Sequence, residues 1–188
     1  MRDILKPIDR RRAKRALADR SVPGDVRDRL LRAATLAPSC FNNQPWRFLV
    51  LDEPEALEKA RPFLAGGNYW AERAPLIIGV VTRKDLDCEL DGGREYAFFD
   101  CGLAVENLIL QATEEGLVAH PIAGFRAPEM RLAFGIDESM VLLTLVIIGF
   151  PGTMEHLSEK HLESEKSPRN RKAISEVVSY NGWTERNG

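Results

Sequence analysis

Between Arg94 and Gly116 the chain carries its strongest helical pattern. Phe98, Cys101, Val105, Leu108 and Ala112 recur at helical spacing, and Phe99, Leu103 and Leu110 do so on another side. A helix apolar on more than one face is expected to be buried all round. At 1.5 Å per residue it spans roughly 35 Å, about a domain diameter, so the rest of the chain has to be arranged around it. Asp100, Glu106 and Asn107 interrupt the pattern. Each is costly to bury unless paired or hydrogen-bonded, and they are expected to face solvent or to cap neighbouring elements.

Three apolar runs read as strands: 47–51, 75–81 and 141–149, the last two continuously apolar and rich in β-branched residues. Helices are expected over 25–36, after the Pro23-Gly24 break, over 54–60, with Pro54 in its first turn, and over 128–134, where Pro stands early and Gly late. A further helix is expected over 3–18, with Ile4, Leu5, Ile8 and Leu17 as its apolar side and Pro7 working against it. Residues 82–95 are polar, hold Gly92-Gly93, and have about the length of a loop. With 188 residues the chain fits one domain. Its core is expected over 1–152, with 153–188 a polar extension whose Ile174, Val177, Val178 and Trp183 can lie across a partner.

Bulk properties exclude several function classes. A net charge of −2 gives no general attraction to nucleic acid or an anionic membrane surface. No stretch approaches the ~20 apolar residues of a membrane span, and residues 1–4 lack the apolar run of a signal peptide. Cys40, Cys88 and Cys101 are odd in number and lack metal-type spacing, so they are read as reduced thiols of a cytoplasmic protein. His156 and His161 stand five apart, off the register of a helical metal pair, and no metal site is expected.

Two stretches have chemistry beyond packing. In Ala37-Pro38-Ser39-Cys40-Phe41-Asn42-Asn43-Gln44-Pro45-Trp46, polar loop residues are pinned by two prolines and followed by an aromatic anchor. Such a loop either turns into a core strand or holds a flat polar ligand. In Arg10-Arg11-Arg12-Ala13-Lys14-Arg15, five of six residues are cationic. The run reads as a solvated face or as an anion site, since guanidinium forks clamp phosphate oxygens bidentately. Pro121-Ile122-Ala123-Gly124 is on its own a turn pattern, and His120, Tyr69 and Trp70 are read as packing residues.

Taken in order, the basic N-terminal run, Pro-Ser before Asn-x-Gln-Pro-Trp, the long helix, Pro-Ile-Ala-Gly and the Arg169-Asn170-Arg171 tail element resemble the nitroreductase family end to end. The resemblance implies an α+β fold: a mostly antiparallel sheet flanked by helices around the long helix, in an interlocked homodimer with two FMN sites at its interface. It assigns the FMN phosphate to Arg11, Arg12, Arg169 and Arg171, and the N1/O2 edge of the ring to Arg15. Ala13 stands where the family carries Ser, which leaves only its backbone N–H. Pro38, Ser39 and Asn42, from the other subunit, would contact the ring and ribityl chain, and the backbone of Pro121, Ile122, Ala123 and Gly124 would face the ring. Hydride would come from NADH or NADPH and pass to a small organic acceptor, nitroaromatic- or quinone-like, in ping-pong fashion. No side chain is assigned as acid or base. The rival readings are an FMN-binding protein without turnover and a dehalogenase-type relative; the short 82–95 segment leaves little room for the latter's substrate lid.

Overall fold

The structure, a computed structural model, describes residues 4–184. In chain order the elements are α1 (Lys6–Arg10), α2 (Gly24–Thr35), β1 (Arg47–Leu51), α3 (Pro54–Ala60), β2 (Leu76–Thr82), β3 (Glu89–Leu90), β4 (Arg94–Glu95), α4 (Tyr96–Glu114), β5 (Val118–Ile122), α5 (Ala127–Ala133), β6 (Val141–Gly149), α6 (Glu159–Lys166) and α7 (Ile174–Val177). The main sheet has the order β1-β2-β6-β5 and is antiparallel throughout. Strands β3 and β4 form a separate short hairpin.

The sheet is covered on both faces, which is why its central strands read as unbroken apolar runs. Opposite residues Ile77 and Ile147 share a face. There they pack with Leu57 of α3, Met130 of α5 and Trp70. Leu76, Ile78, Val80, Val146 and Ile148 point the other way, against Leu30 and Ala34 of α2 and Ala104 and Leu108 of α4. The expectation of a mostly antiparallel sheet between helical layers therefore holds in this chain.

Three expectations need correction. The helix expected over 3–18 runs only from Lys6 to Arg10, and its first position lies outside the described residues. Residues beyond it are extended because their backbone pairs elsewhere. Leu17 bridges Pro151, Ala18 N–H donates to Phe150 O (2.9 Å), and Gly152 N–H donates to Ala16 O (2.9 Å). Helix α4 is not buried all round within one chain: Ala104, Leu108 and Ala112 are buried, whereas Phe99 is 60% exposed and Leu103 and Leu110 are half-buried. Asp100, by contrast, caps a neighbouring element, one of the two roles expected of it: it is buried and accepts a hydrogen bond from Cys40 N–H, at the start of a short 3-10 turn, at 2.7 Å. Finally, the cysteines are not three free thiols. Cys40 and Cys88 form a disulfide and only Cys101 is free. An odd count with irregular spacing hid the pair, since the two meet only through tertiary structure. The cytoplasmic reading loses the support it drew from reduced thiols.

Candidate functional site

The basic run is held in place by the chain's own tail. Glu165, in α6, is 5% exposed and its carboxylate accepts from Arg15 N–H (3.0 Å) and Ala16 N–H (3.4 Å). Lys14 Nζ lies 3.9 Å from the same carboxylate and donates to the Glu165 carbonyl. Arg12 donates to Ser167 O at 2.6 Å, and Arg169 donates to Arg11 O at 2.7 Å and to the Asp9 carbonyl. The segment after α1 is thus zipped to residues 165–169. This spends the backbone groups and leaves guanidinium charge over.

Arg10 is committed to Glu114 (2.8 Å), and Arg169 lies 3.9 Å from Asp9. Arg11, Arg12 and Arg15 enter no ion pair among the described residues. Arg11, Arg12 and Lys14 line a cavity of about 250 Å³ closed by Thr113, Val118 and Pro151. Surplus cations at the rim of this cavity fit a phosphate monoester of about −2 charge, so this donor set suits the FMN phosphate. Ala13 is exposed beside them. Arg171 is not brought to this cluster by any described contact; it is exposed and donates to its neighbour Asn170 O (2.6 Å).

A second group lies where β5 ends. His120 donates through Nδ1–H to Lys14 O (3.0 Å) and stacks on Trp70, with 4.8 Å between ring centroids. The Arg15 guanidinium lies over the same Trp70 ring at 5.9 Å. Burial is the main cause holding His120 below the ordinary imidazole range, and the nearby Arg15 adds to it. His120 is therefore a neutral spacer that joins the basic segment to Pro121–Gly124, which is not a simple turn: Pro121 and Ile122 are the last residues of β5, paired with Val146 and Leu145, and the chain leaves the sheet only at Ala123. In that stretch Ile122 is buried, Pro121 and Ala123 are exposed, and Gly124 O accepts from Ala65 N–H (2.9 Å) and Asn68 Nδ2 (2.8 Å). A Cβ at Gly124 would meet Asn68 Nδ2 at 2.6 Å, so the close approach of Asn68 requires glycine. Trp70 is a packing residue, as expected. Tyr69 is partly buried; its hydroxyl accepts from Ser158 N–H at 2.7 Å and ties the tail to the core.

The third group, the loop after α2, makes its own contacts elsewhere. Gln44 N–H donates to Ser39 Oγ (2.9 Å) and Asn42 N–H to Ser39 O (3.0 Å). Phe41, Asn42 and Gln44 are all left-handed, at φ 48°, 60° and 52°. For non-glycine residues this costs on the order of 1–3 kcal/mol each, and persists only where the surroundings over-determine the backbone. The determinants here are the Cys40–Cys88 disulfide, Asp100 on Cys40 N–H, and Asn43 Nδ2 donating to Asp87 Oδ1 (3.2 Å). Asp100 is held above the ordinary carboxylate range by burial first; the Cys40 N–H opposes this and the neighbouring Asp87 carboxylate adds to it. Pro38, Asn42 and Phe41 are exposed, Phe41 at 89%. No hydrogen bond or ion pair among the described residues joins this loop to Arg11–Arg15 or to Pro121–Gly124.

Sequence reasoning missed Glu165, Asp87, Asp100 and the disulfide. Glu165 sits in a run of charges that reads as a solvated helix, with nothing local to mark it. Asp100 did carry a signal, a carboxylate inside an apolar helix.

Two blocks, residues 8–68 and 63–150, match the model of the nitroreductase family. A protein of Methanothermobacter thermautotrophicus provisionally named NADH dehydrogenase/NAD(P)H nitroreductase is 30% identical over 173 residues, 87% of each chain. One of Archaeoglobus fulgidus with the same provisional name is 30% identical over 155 residues, 80% of this chain and 87% of its own. Among solved structures, an oxidoreductase containing FMN superposes with a TM-score of 0.87 at 26% identity, over 98% of this chain and 95% of its own. With these matches spanning basic segment, loop, sheet and long helix, the chain belongs to the nitroreductase family.

Proposed function

We propose that the protein is an FMN-dependent oxidoreductase that takes reducing equivalents from NADH or NADPH and passes them to a small organic acceptor of nitroaromatic or quinone type. The observation that carries this reading is the trio Arg11, Arg12 and Arg15, without carboxylate partners among the described residues, on a segment pinned by the buried Glu165 beside a cavity that Arg11 and Arg12 line. FMN, when bound, supplies the hydride-accepting and hydride-donating chemistry. The chain's own residues bind and orient it. Arg11 and Arg12 neutralise the phosphate, with Arg169 fixing their backbone, and Arg171 reaches the site only on rearrangement. Arg15, over Trp70, offers fixed positive charge at the edge of the ring. Backbone of Pro121–Gly124 packs against the ring plane. No side chain is required as a proton donor. A single flat site that serves donor and acceptor in turn gives ping-pong kinetics.

The loop residues Pro38, Ser39 and Asn42 complete the site from a second copy of the chain. Three features support this. The loop makes no polar contact with the basic segment of its own chain. Apolar surface is left over on one side, where Leu5, Ile8, Leu36 and Leu110 line a groove of about 350 Å³ and Phe99 stands out from α4. The tail beyond 172 exposes Ile174, Val177, Tyr180 and Trp183. In this reading 1–152 with α6 is the core, and residues from Ile174 onward clasp the partner. The dehalogenase reading is disfavoured, because residues 84–95 form a 3-10 turn and a hairpin of two-residue strands rather than a lid. No helix among the described residues is long and apolar enough to cross a membrane.

The test is anaerobic stopped-flow reduction of the purified protein by NADH and by NADPH, followed by mixing with a quinone. The expected result is one FMN per chain, bleached by at least one nicotinamide and recoloured by quinone. Bound flavin that neither nicotinamide bleaches would favour a binding protein without turnover. Failure to take up added FMN would overturn the reading.

A further inference from the structure

We propose that the Cys40–Cys88 disulfide is a reversible thiol–disulfide exchange site whose reactant is an external dithiol, and that the oxidised form holds loop 38–44 in its flavin-contacting shape. The second half rests on the reading of Pro38, Ser39 and Asn42 as flavin contacts.

The bond joins two segments that have little else between them. Cys40 opens the 3-10 turn Cys40–Asn42; Cys88 lies between the turn Lys84–Leu86 and β3, 48 residues on. Besides the disulfide, the polar links between them among the described residues are few: Asn43 Nδ2 donates to Asp87 Oδ1 (3.2 Å) and approaches Cys88 Sγ (3.8 Å), and Asp100, which accepts from Cys40 N–H (2.7 Å), reaches Asp87 from the other side. Against that slender tie stand three left-handed non-glycine residues, Phe41, Asn42 and Gln44. A loop with that backbone needs an external constraint, and the covalent one is removable.

Exchange is confined to this pair. Cys40 and Cys88 are both partly exposed, whereas Cys101 is fully buried and burial pushes its thiol up to about 11. Thiolate is the reactive form, so Cys101 is inert beside them. Asp87 controls the rate. It is 8% exposed, and an oxygen of its carboxylate lies within 4.8 Å of both sulfurs. Negative charge there disfavours a thiolate leaving from either sulfur, and exchange slows as the leaving thiol becomes less acidic. The pair is thus shielded from casual reduction yet open to a strong dithiol.

The chemistry balances as a two-electron exchange. A thiolate of the external dithiol attacks one protein sulfur, the Cys40–Cys88 bond breaks, and the departing sulfur takes a proton from water. The reagent's second thiolate, formed by losing its proton to water, then displaces the other protein sulfur, which is protonated in turn. The products are two cysteine thiols and the reagent's cyclic disulfide.

The experiment uses the full chain with FMN in buffers of varied reduced-to-oxidised dithiothreitol ratio, acid-quenched, alkylated and counted by mass spectrometry. Cys40 and Cys88 are expected to gain label together, with Cys101 labelled only after denaturation. FMN fluorescence titration is then run on each form. If the reduced loop keeps its binding shape about a tenth of the time, affinity falls about tenfold. The double variant Cys40→Ser with Cys88→Ser should bind FMN as the reduced form does, with no response to dithiothreitol. Asp87→Asn should exchange faster. A pair that stays reduced in excess oxidised reagent, or an exchange rate unmoved or slowed by Asp87→Asn, overturns the exchange site. Equal FMN affinity in both forms overturns the coupling. If neither form binds FMN, the flavin reading fails and the coupling with it, while the label count still decides the exchange site.

Discussion

Glu165 connects the tail to the basic segment, and its removal offers the sharpest structural prediction. Its carboxylate is buried and accepts from Arg15 N–H at 3.0 Å and Ala16 N–H at 3.4 Å. A hydrogen bond to a charged group contributes roughly 1.5–3 kcal/mol, and a buried N–H left without a partner costs about 1–3 kcal/mol. The 3.4 Å contact is long, so its share sits at the low end. Glu165→Ala should therefore lose about 3 kcal/mol, a melting shift of roughly 6–12 °C for a chain of this size. Glu165→Gln keeps one oxygen acceptor and should lose about half as much. Urea denaturation of the FMN-free protein gives both numbers, and flavin titration at 25 °C, where both variants remain folded, gives the second consequence. Since Glu165 sets the backbone path of Lys14–Ala16, the alanine variant should also bind FMN more weakly. A loss within ~0.5 kcal/mol, as for an ordinary surface change, would show that this zipper is not what holds the basic segment.

Asp100 has a raised pKa, so its contribution to stability is present below the ordinary value of 3.8 and is lost as pH rises through the raised one. Thermal melts from pH 4 to 7 should therefore show Asp100→Asn flattening that fall and being at least as stable as the parent at pH 7; parallel curves would refute the assignment. Gly152→Ala places a Cβ 2.4 Å from backbone atoms of Leu17 and Ala18, whereas at Gly124 the obstacle is the movable amide of Asn68. By chemical denaturation the first should cost ~3 kcal/mol or more and the second less, and the reverse order would contradict this packing. Cutting after Gly152 removes Leu157, Glu165 and Arg169 together and should abolish FMN binding; cutting after Lys172 should leave the core folded but weaken dimerisation, both read by light scattering and flavin fluorescence.

What the sequence made legible follows from how local each signal is. The strands 47–51, 75–81 and 141–149 announced themselves because burial on both faces leaves no polar alternation, and α4 because its apolar residues are dense. The N-terminal helix failed because residues 11–18 satisfy their backbone against 150–152 and Glu165, partners more than a hundred residues away. Propensity cannot see such a competitor. The site divides in the same way. Arg11, Arg12 and Arg15 were legible as a charge run, since cations in sequence stay together in space. Arg171 was joined to Arg169 only through the family resemblance of the Arg169-Asn170-Arg171 element, and the two side chains part company after Asn170. The disulfide, Asp87 and Asp100 are products of packing between α4, the loop after α2 and the segment before β3, and no window of sequence contains all three.

The placement of these groups bears on how the site is completed. The cations of the basic segment are fixed by the chain itself, through Glu165, Ser167 and Arg169, so the surface proposed to take the phosphate is built by one chain alone. The loop holding Pro38, Ser39 and Asn42 is fixed quite differently, by a covalent bond, a buried carboxylate and a single amide. In the proposed site, cations held by one framework and a loop held by a removable bond divide flavin binding into two contributions. Charge attraction from the first does not depend on the second, and should survive changes in the loop. Shape selection by the loop depends on its left-handed residues staying where the disulfide and Asp100 put them. If the loop acts across a partner, flavin affinity also depends on assembly, because binding that engages both copies stabilises the pair by mass action. Retention of the phosphate and recognition of the ring are then separable properties, each with its own set of named residues.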